Sequence, residues 1–293
     1  MNIFEKLGLV LPGVENPARY IGGEANSVVK KHSQMLAKMA FVFPDIYEIG
    51  MSNNGMRILY HVINREPDLL CEVAFAPWDD MAKEMRRLEI PLYTHATYTP
   101  VKDFEAIGMS LQTELNFTNV PYVLELAGVE AFSSNRKEED PIVLGGGPAM
   151  ANPEPVADFF DAFMIGDGEE VIIKVLRCIG NARKENVSKK EILKRLSLID
   201  GVYVPSLREV KKGEFDEGLL EAAMNNYKLA QMSYLEDNGG RADMFVSAFI
   251  NGTEWKDEVE ALDRMSKITK QQIVDFANKY FGDNYALVYK KQG

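Results

Sequence analysis

Four segments follow directly on runs that read as β-strands, and each has the residue types to hold a ligand. The first, Asp45-Ile46-Tyr47-Glu48-Ile49-Gly50-Met51-Ser52-Asn53-Asn54-Gly55, carries two glycines and small polar groups ahead of a helix start. A helix N-terminus of that kind suits an anion or a close-lying ligand. The second is Ser110-Leu111-Gln112-Thr113-Glu114, the third Gly145-Gly146-Gly147-Pro148, and the fourth Gly166-Asp167-Gly168-Glu169-Glu170. Glycine lets a flat or bulky ligand approach the backbone. The candidate ligand-contacting residues are therefore Asp45, Tyr47, Gly50, Ser52, Gly55, Ser110, Gln112, Gly145, Gly146, Gly147, Gly166, Gly168 and Glu169. Any one of these loops is more simply read as a tight turn. Four of them on one sheet edge weigh toward a pocket, because one edge makes one pocket. Glu48, Glu114, Asp167, Glu169 and Glu170 could gather at its mouth, although acids in a helix's first turn also favour its dipole.

No catalytic residue is assigned. The three histidines, His32, His61 and His95, and the two cysteines, Cys71 and Cys178, stand in no spacing that makes a nucleophile, a base or a metal site. His61 is expected half-buried on a helix and His95 on the surface. The cysteines read as reduced core residues.

The elements that must position these loops alternate. Strands are expected at Met39–Phe43, Cys71–Phe75, Pro91–Tyr93, Ala106–Leu111, Pro141–Leu144 and Ala162–Ile165. Helices are expected at Asn53–Asn64, Asp79–Leu88, Glu114–Ala127, Glu169 to about Ala182, and Ser188–Leu198. The apolar run 106–111 suits a strand covered on both faces. The fold class is therefore α/β, a flavodoxin-like doubly wound parallel sheet of about five strands. Ligands in such sheets bind at the carboxyl ends of the strands.

The composition changes near residue 213. All 13 prolines lie at or before Pro205 and all three histidines in the first third, and the remainder reads as helix. The boundaries expected are an arm over 1–36, an α/β domain over 37–212 and a mostly helical α+β segment over 213–293. A net charge of −11 argues against nucleic-acid or anionic-membrane partners. The sequence has no run of eighteen apolar residues, and residues 1–11 make a poor secretory signal, so a cytoplasmic protein is expected.

The stretches Arg19–Glu24, Pro44–Gly55, Ala74–Trp78, Gly145–Pro148 and Asn152–Glu170 give residues 11–212 a resemblance. They resemble the N-terminal cobalamin-binding-like domain of a bacterial radical S-adenosylmethionine protein family. The resemblance implies a flavodoxin-like sheet lying over a radical-enzyme barrel. Cobalamin domains that replace the cofactor's lower base carry Asp-x-His-x-x-Gly; here Asp45, Tyr47 and Gly50 hold that spacing with tyrosine at the ligand position. A phenol is a poor cobalt ligand, so cobalamin would bind, if at all, with its tail between the triglycine loop and Ser110. The family's iron–sulfur cluster needs Cys-x3-Cys-x2-Cys, which Cys71 and Cys178 cannot supply. No iron–sulfur cluster is expected.

Residues 213–293 resemble the C-terminal end of insulinase/pitrilysin-type zinc peptidases. The resemblance rests on Glu214-Phe215-Asp216, Asn251–Trp255, Ile268–Ala277 and a closing strand over 285–290. The zinc motif His-x-x-Glu-His is missing, since no histidine follows His95. The apolar stripe Leu219, Leu220, Ala223, Tyr227 and Ala230 is expected to be core. The chain reads as a chimera without either catalytic centre, a binding module not catalytic alone. Its expected partners are a separate radical-enzyme barrel or a peptidase subunit.

Overall fold

A computed structural model describes residues 2–207, 217–236 and 238–280. The chain forms two compact units, Met1–Arg208 and Glu209–Gly293.

The first unit is built on a six-stranded sheet of order β2-β1-β3-β4-β5-β6. The strands are β1 Ala37–Phe43, β2 Leu69–Phe75, β3 Ala106–Ser110, β4 Ile142–Gly146, β5 Ala162–Met164 and β6 Val202–Tyr203. The first five run parallel and β6 pairs antiparallel with β5. This is the doubly wound order of a flavodoxin-like fold, with the topological switch between β1 and β3.

Helices cover both faces. They are α1 Ile3–Val10, α2 Tyr47–Ser52, α3 Asn54–Arg65, α4 Asp79–Leu88, α5 Asn119–Ala127, α6 Gly168–Lys184 and α7 Lys189–Leu196. On one face Leu7 and Val10 of α1, Met81 and Met85 of α4, and Val120 and Leu124 of α5 join one apolar core. On the other, Met56 and Ile63 of α3, Ile172, Leu176 and Ile179 of α6, and Ile192 of α7 join a second. The sheet is therefore covered on both sides, as its near-continuous apolar strands require.

The expected elements need three corrections. Pro91–Tyr93 adds no strand to the sheet. Residues 92–101 fold back on themselves, with Thr94 N–H donating to the Thr99 carbonyl and Val101 N–H to that of Leu92, and Tyr93 makes a lone bridge to Pro100. The helix expected over 114–127 is two pieces. Thr113 and Asn116 close a capping box around the short turn Glu114–Asn116, and α5 starts afterwards. Pro121 lies in its first turn, where its missing N–H leaves no intrahelical bond unmade. The arm over 1–36 contains a helix for which no element was expected. A capping box of Asn2 and Glu5 starts α1, and Lys6 Nζ donates to the carbonyls of Leu88 and Glu89 at the end of α4.

The second unit contains α8 Glu217–Glu236, α9 Asn238–Asn251, α10 Trp255–Val259, α11 Ala261–Met265 and α12 Lys270–Tyr280. Thr269 caps α12, accepting from Gln272 N–H while the Gln272 side chain accepts from Thr269 N–H. Phe245 and Trp255 stack with ring centroids 4.0 Å apart. Among the described residues of this unit, only Gly240 and Ala248 are buried. Of the stripe expected to be core, Tyr227 and Ala223 are exposed and Leu220 is half-buried. The side chains of Leu219 and Ala230, the residues 213–216, and the strand expected over 285–290 lie outside the described residues.

Candidate functional site

A cavity of about 550 Å³ opens at the carboxyl ends of β3, β4 and β5, beside the middle of β1. That size is within the ordinary range for small-molecule sites. Its apolar wall includes Met39 and Phe41 of β1, Leu59 of α3, Met164 of β5 and Ile172 of α6. Glycine makes the room. Gly108 faces Met39, whose sulfur would lie 2.7 Å from an added Cβ. Gly147 has φ +100°, and a Cβ there would lie 2.6 Å from the Leu111 carbonyl oxygen. Only glycine holds the third loop against the second without strain.

The polar groups lie toward the opening. Ser110 is buried at the end of β3, and its hydroxyl accepts from Gln112 Nε2 at 2.7 Å. Asn53 caps α3 by accepting from Met56 N–H at 2.8 Å. Asp167 occupies the N-cap position of α6, and Glu169 stands in its first turn. Both carboxylates are exposed and have no ion-pair partner among the described residues. No lysine, arginine or histidine lines the cavity.

Of the residues expected from sequence, the structure brings together Gly55, Ser110, Gln112, Gly146, Gly147, Gly166, Gly168 and Glu169. Five others lie elsewhere, for identifiable reasons. Gly145 alternates to the opposite face of β4, where it abuts Phe163 and Phe160. Gly50 is pressed against Phe75 and Phe43. Ser52 donates back to the Ile49 carbonyl and closes α2. Asp45 accepts from Ile46 N–H at 2.8 Å and faces Asn116 Nδ2 at 3.4 Å, lacing the first loop to the second. Asn119 adds a second stitch to the Pro44 carbonyl. Sequence reasoning missed both asparagines, although Thr113-x-x-Asn116 has capping-box spacing.

Tyr47 is the fifth, and its surroundings form a closed shelf. Its hydroxyl donates to Glu24 at 2.5 Å, and its ring stacks on His95 with centroids 6.0 Å apart. Burial, then the Glu24 partner, pushes the phenol up to about 12. His95, expected on the surface, is buried among Tyr47, Phe75 and Tyr93, and burial pushes its imidazole down to about 4. Gly22, with φ +59°, packs against the His95 carbonyl and so closes the shelf from the N-terminal side. His61, expected half-buried, is exposed. Glu48 pairs with Arg19 at 2.7 Å rather than turning to the cavity, and Glu114 and Glu170 are exposed outside its lining.

A second buried polar cluster lies on β2. Glu72 is fully buried and accepts from Thr94 and Thr97 hydroxyls at 2.5 and 2.7 Å and from His32 Nε2 at 2.8 Å. Its oxygens are occupied by these partners, and the cluster pins residues 92–101 and the His32 segment to the edge strand.

The family model described as radical SAM proteins, N-terminal, matches residues 55–205. An uncharacterized protein of Methanocaldococcus jannaschii is 24% identical over 146 residues, 49% of this chain and 27% of that protein. The chain therefore spans about a quarter of the length of the relative it matches. No solved structure matches the chain. The eight expected residues that line the cavity all lie within residues 55–205, whereas Asp45, Tyr47, Gly50 and Ser52 precede them.

Proposed function

Since this chain belongs to the family of radical SAM proteins through its N-terminal domain, we propose that the α/β unit is a ligand-holding module of such a protein, without catalysis of its own. The observation that carries this reading is the cavity, formed where the strand order reverses and walled by loops after several strands.

Cobalamin is the cofactor this fold suggests. The residues present do not fit a cobalt-ligating role, because Tyr47 is bonded to Glu24 and stacked on His95 away from the cavity. A cobalamin held here would have its tail in the cavity, flanked by Gly146 and Ser110, with no protein bond to cobalt. The iron–sulfur cluster of the radical step would have to come from elsewhere, as Cys71 and Cys178 cannot form its motif. Incubation of the full chain with hydroxocobalamin followed by desalting tests this. Retained visible absorbance near one equivalent is expected, and complete loss overturns the cobalamin reading.

A second reading concerns the helical unit alone. Leu229, Phe249 and Ile250 are 65%, 88% and 74% exposed. Apolar surface of this kind supports a protein-interaction role. With the peptidase resemblance of residues 213–293, we read the unit as a non-catalytic attachment for a peptidase-type subunit. A pull-down with such a subunit should recover a stoichiometric complex, and its absence removes this reading.

A further inference from the structure

The lining of the cavity says which ligands it prefers. Its inner wall sets the thioethers of Met39 and Met164 beside the Phe41 ring and Ile172. Thioethers are polarizable and adapt to flat aromatic faces. The outer part offers acceptors, the carboxylates of Asp167 and Glu169 and the amide oxygen of Gln112, and no cationic side chain. The start of α6 brings about half a positive charge, which two carboxylates more than offset. A terminal phosphate monoester, close to a dianion at neutral pH, would meet net negative charge at the mouth with no counterion from the protein. A ribose would meet acceptors for its hydroxyls, the same carboxylate-to-diol pairing that dinucleotide folds use.

We infer that the cavity takes a phosphate-free nucleoside, its heterocycle against Met39, Met164 and Phe41 and its ribose hydroxyls donating to Asp167 and Glu169. This rests on the cavity being a ligand site, as proposed above, but not on that ligand being cobalamin.

Isothermal titration of the full chain with adenosine and with AMP tests it. Saturable adenosine binding at least about tenfold tighter than AMP is expected, which corresponds to about 1.4 kcal/mol. The double variant D167N/E169Q should narrow that preference at least about threefold, because it removes the repulsion that disfavours AMP. Gly146→Leu should abolish adenosine binding. A Cβ at Gly146 meets nothing nearer than the Met164 methyl at 3.6 Å, so the variant fills the cavity without straining the fold. Equal or tighter binding of AMP overturns the inference. So does an absence of saturable adenosine binding up to about 1 mM, or adenosine binding that Gly146→Leu leaves intact. Retained hydroxocobalamin with no adenosine binding sinks this inference alone, whereas adenosine binding without cobalamin retention sinks only the cobalamin reading.

Discussion

Along the carboxyl edge of one sheet, two neighbouring regions have opposite fates. Around β3 and β4 the strands end in Ser110, Gly146 and Gly147, and the edge is hollow. Around β1 and β2 they end in Phe43 and Phe75, and the edge is filled by Tyr47, His95 and the Gly22–Glu24 segment. The backbone topology is the same on both sides of the switch point. Side-chain size decides which half admits a ligand: glycines and flexible thioethers leave room, while a stacked aromatic shelf removes it. The position that would carry a cobalt-ligating histidine falls on the filled half. A loop can therefore keep a motif's spacing and lose its role, because ligation also requires that the side chain face the opening.

The largest way to break this contrast is to hollow the filled side of β4. Phe163 is fully buried beneath Gly145 and stacks toward Tyr203. Phe163→Ala should cost about 3–5 kcal/mol of stability, the usual range for a buried aromatic truncated to alanine. Denaturant unfolding followed by Trp78 fluorescence in a Trp255→Phe background would measure it for the first unit, and a loss under about 1 kcal/mol would mean β4 is not locked from that side.

Acid should open the shelf next. His95 is neutral in the folded chain down to about pH 4, whereas an unfolded histidine takes its proton near 6.5. Between those values the unfolded state binds more protons, so stability falls as pH is lowered from 6.5 toward 4. The decline should total about 3 kcal/mol, and His95→Leu should remove that part of it. A pH profile unchanged by the variant would show that some other group governs acid sensitivity. On the hollow side, Gly147→Ala should cost about 1–3 kcal/mol, because alanine is strained at φ +100° and meets the Leu111 carbonyl. Gly146→Ala, a neighbour with ordinary backbone and free space, should change stability by less than about 1 kcal/mol, so the pair of variants separates strain from volume.

Much of this architecture is legible in the sequence. Periodicity and glycine placement located five parallel strands and the loops at their ends, because those signals are local. Asp79–Leu88 has an amphipathic face and acidic first turn that mark its limits directly. Pairing in three dimensions was not legible. Gly145 and Gly146 are adjacent and chemically identical, yet strand alternation sends one to Phe163 and the other to the cavity. His95 looked like a surface residue because nothing nearby in sequence covers it; its cover comes from Tyr47 and Gly22, many residues upstream. In the second unit the apolar stripe on α8 has the pattern of a core helix, yet Ala223 and Tyr227 are exposed and Leu220 is only half-buried.

A substitution expected to leave the cobalt spectrum unchanged sharpens the contrast most. Tyr47→His restores the residue that a cobalt-ligating loop carries, at the same place in Asp45-x-x-x-x-Gly50. If the loop were free to turn toward the cavity, this substitution would create a ligand. The structure holds position 47 through Glu24 and the His95 ring instead, and an imidazole there would stack and accept or donate toward Glu24 as the phenol does. The variant should lose no more than about 1–1.5 kcal/mol, the net worth of one side-chain hydrogen bond. It should leave the visible spectrum of added hydroxocobalamin the same as with the wild-type chain. A new histidine-ligated cobalt spectrum would show that the shelf opens under ligand pressure, and that the filled half of the edge is closed by side-chain identity alone rather than by the packing of the Gly22–Glu24 segment.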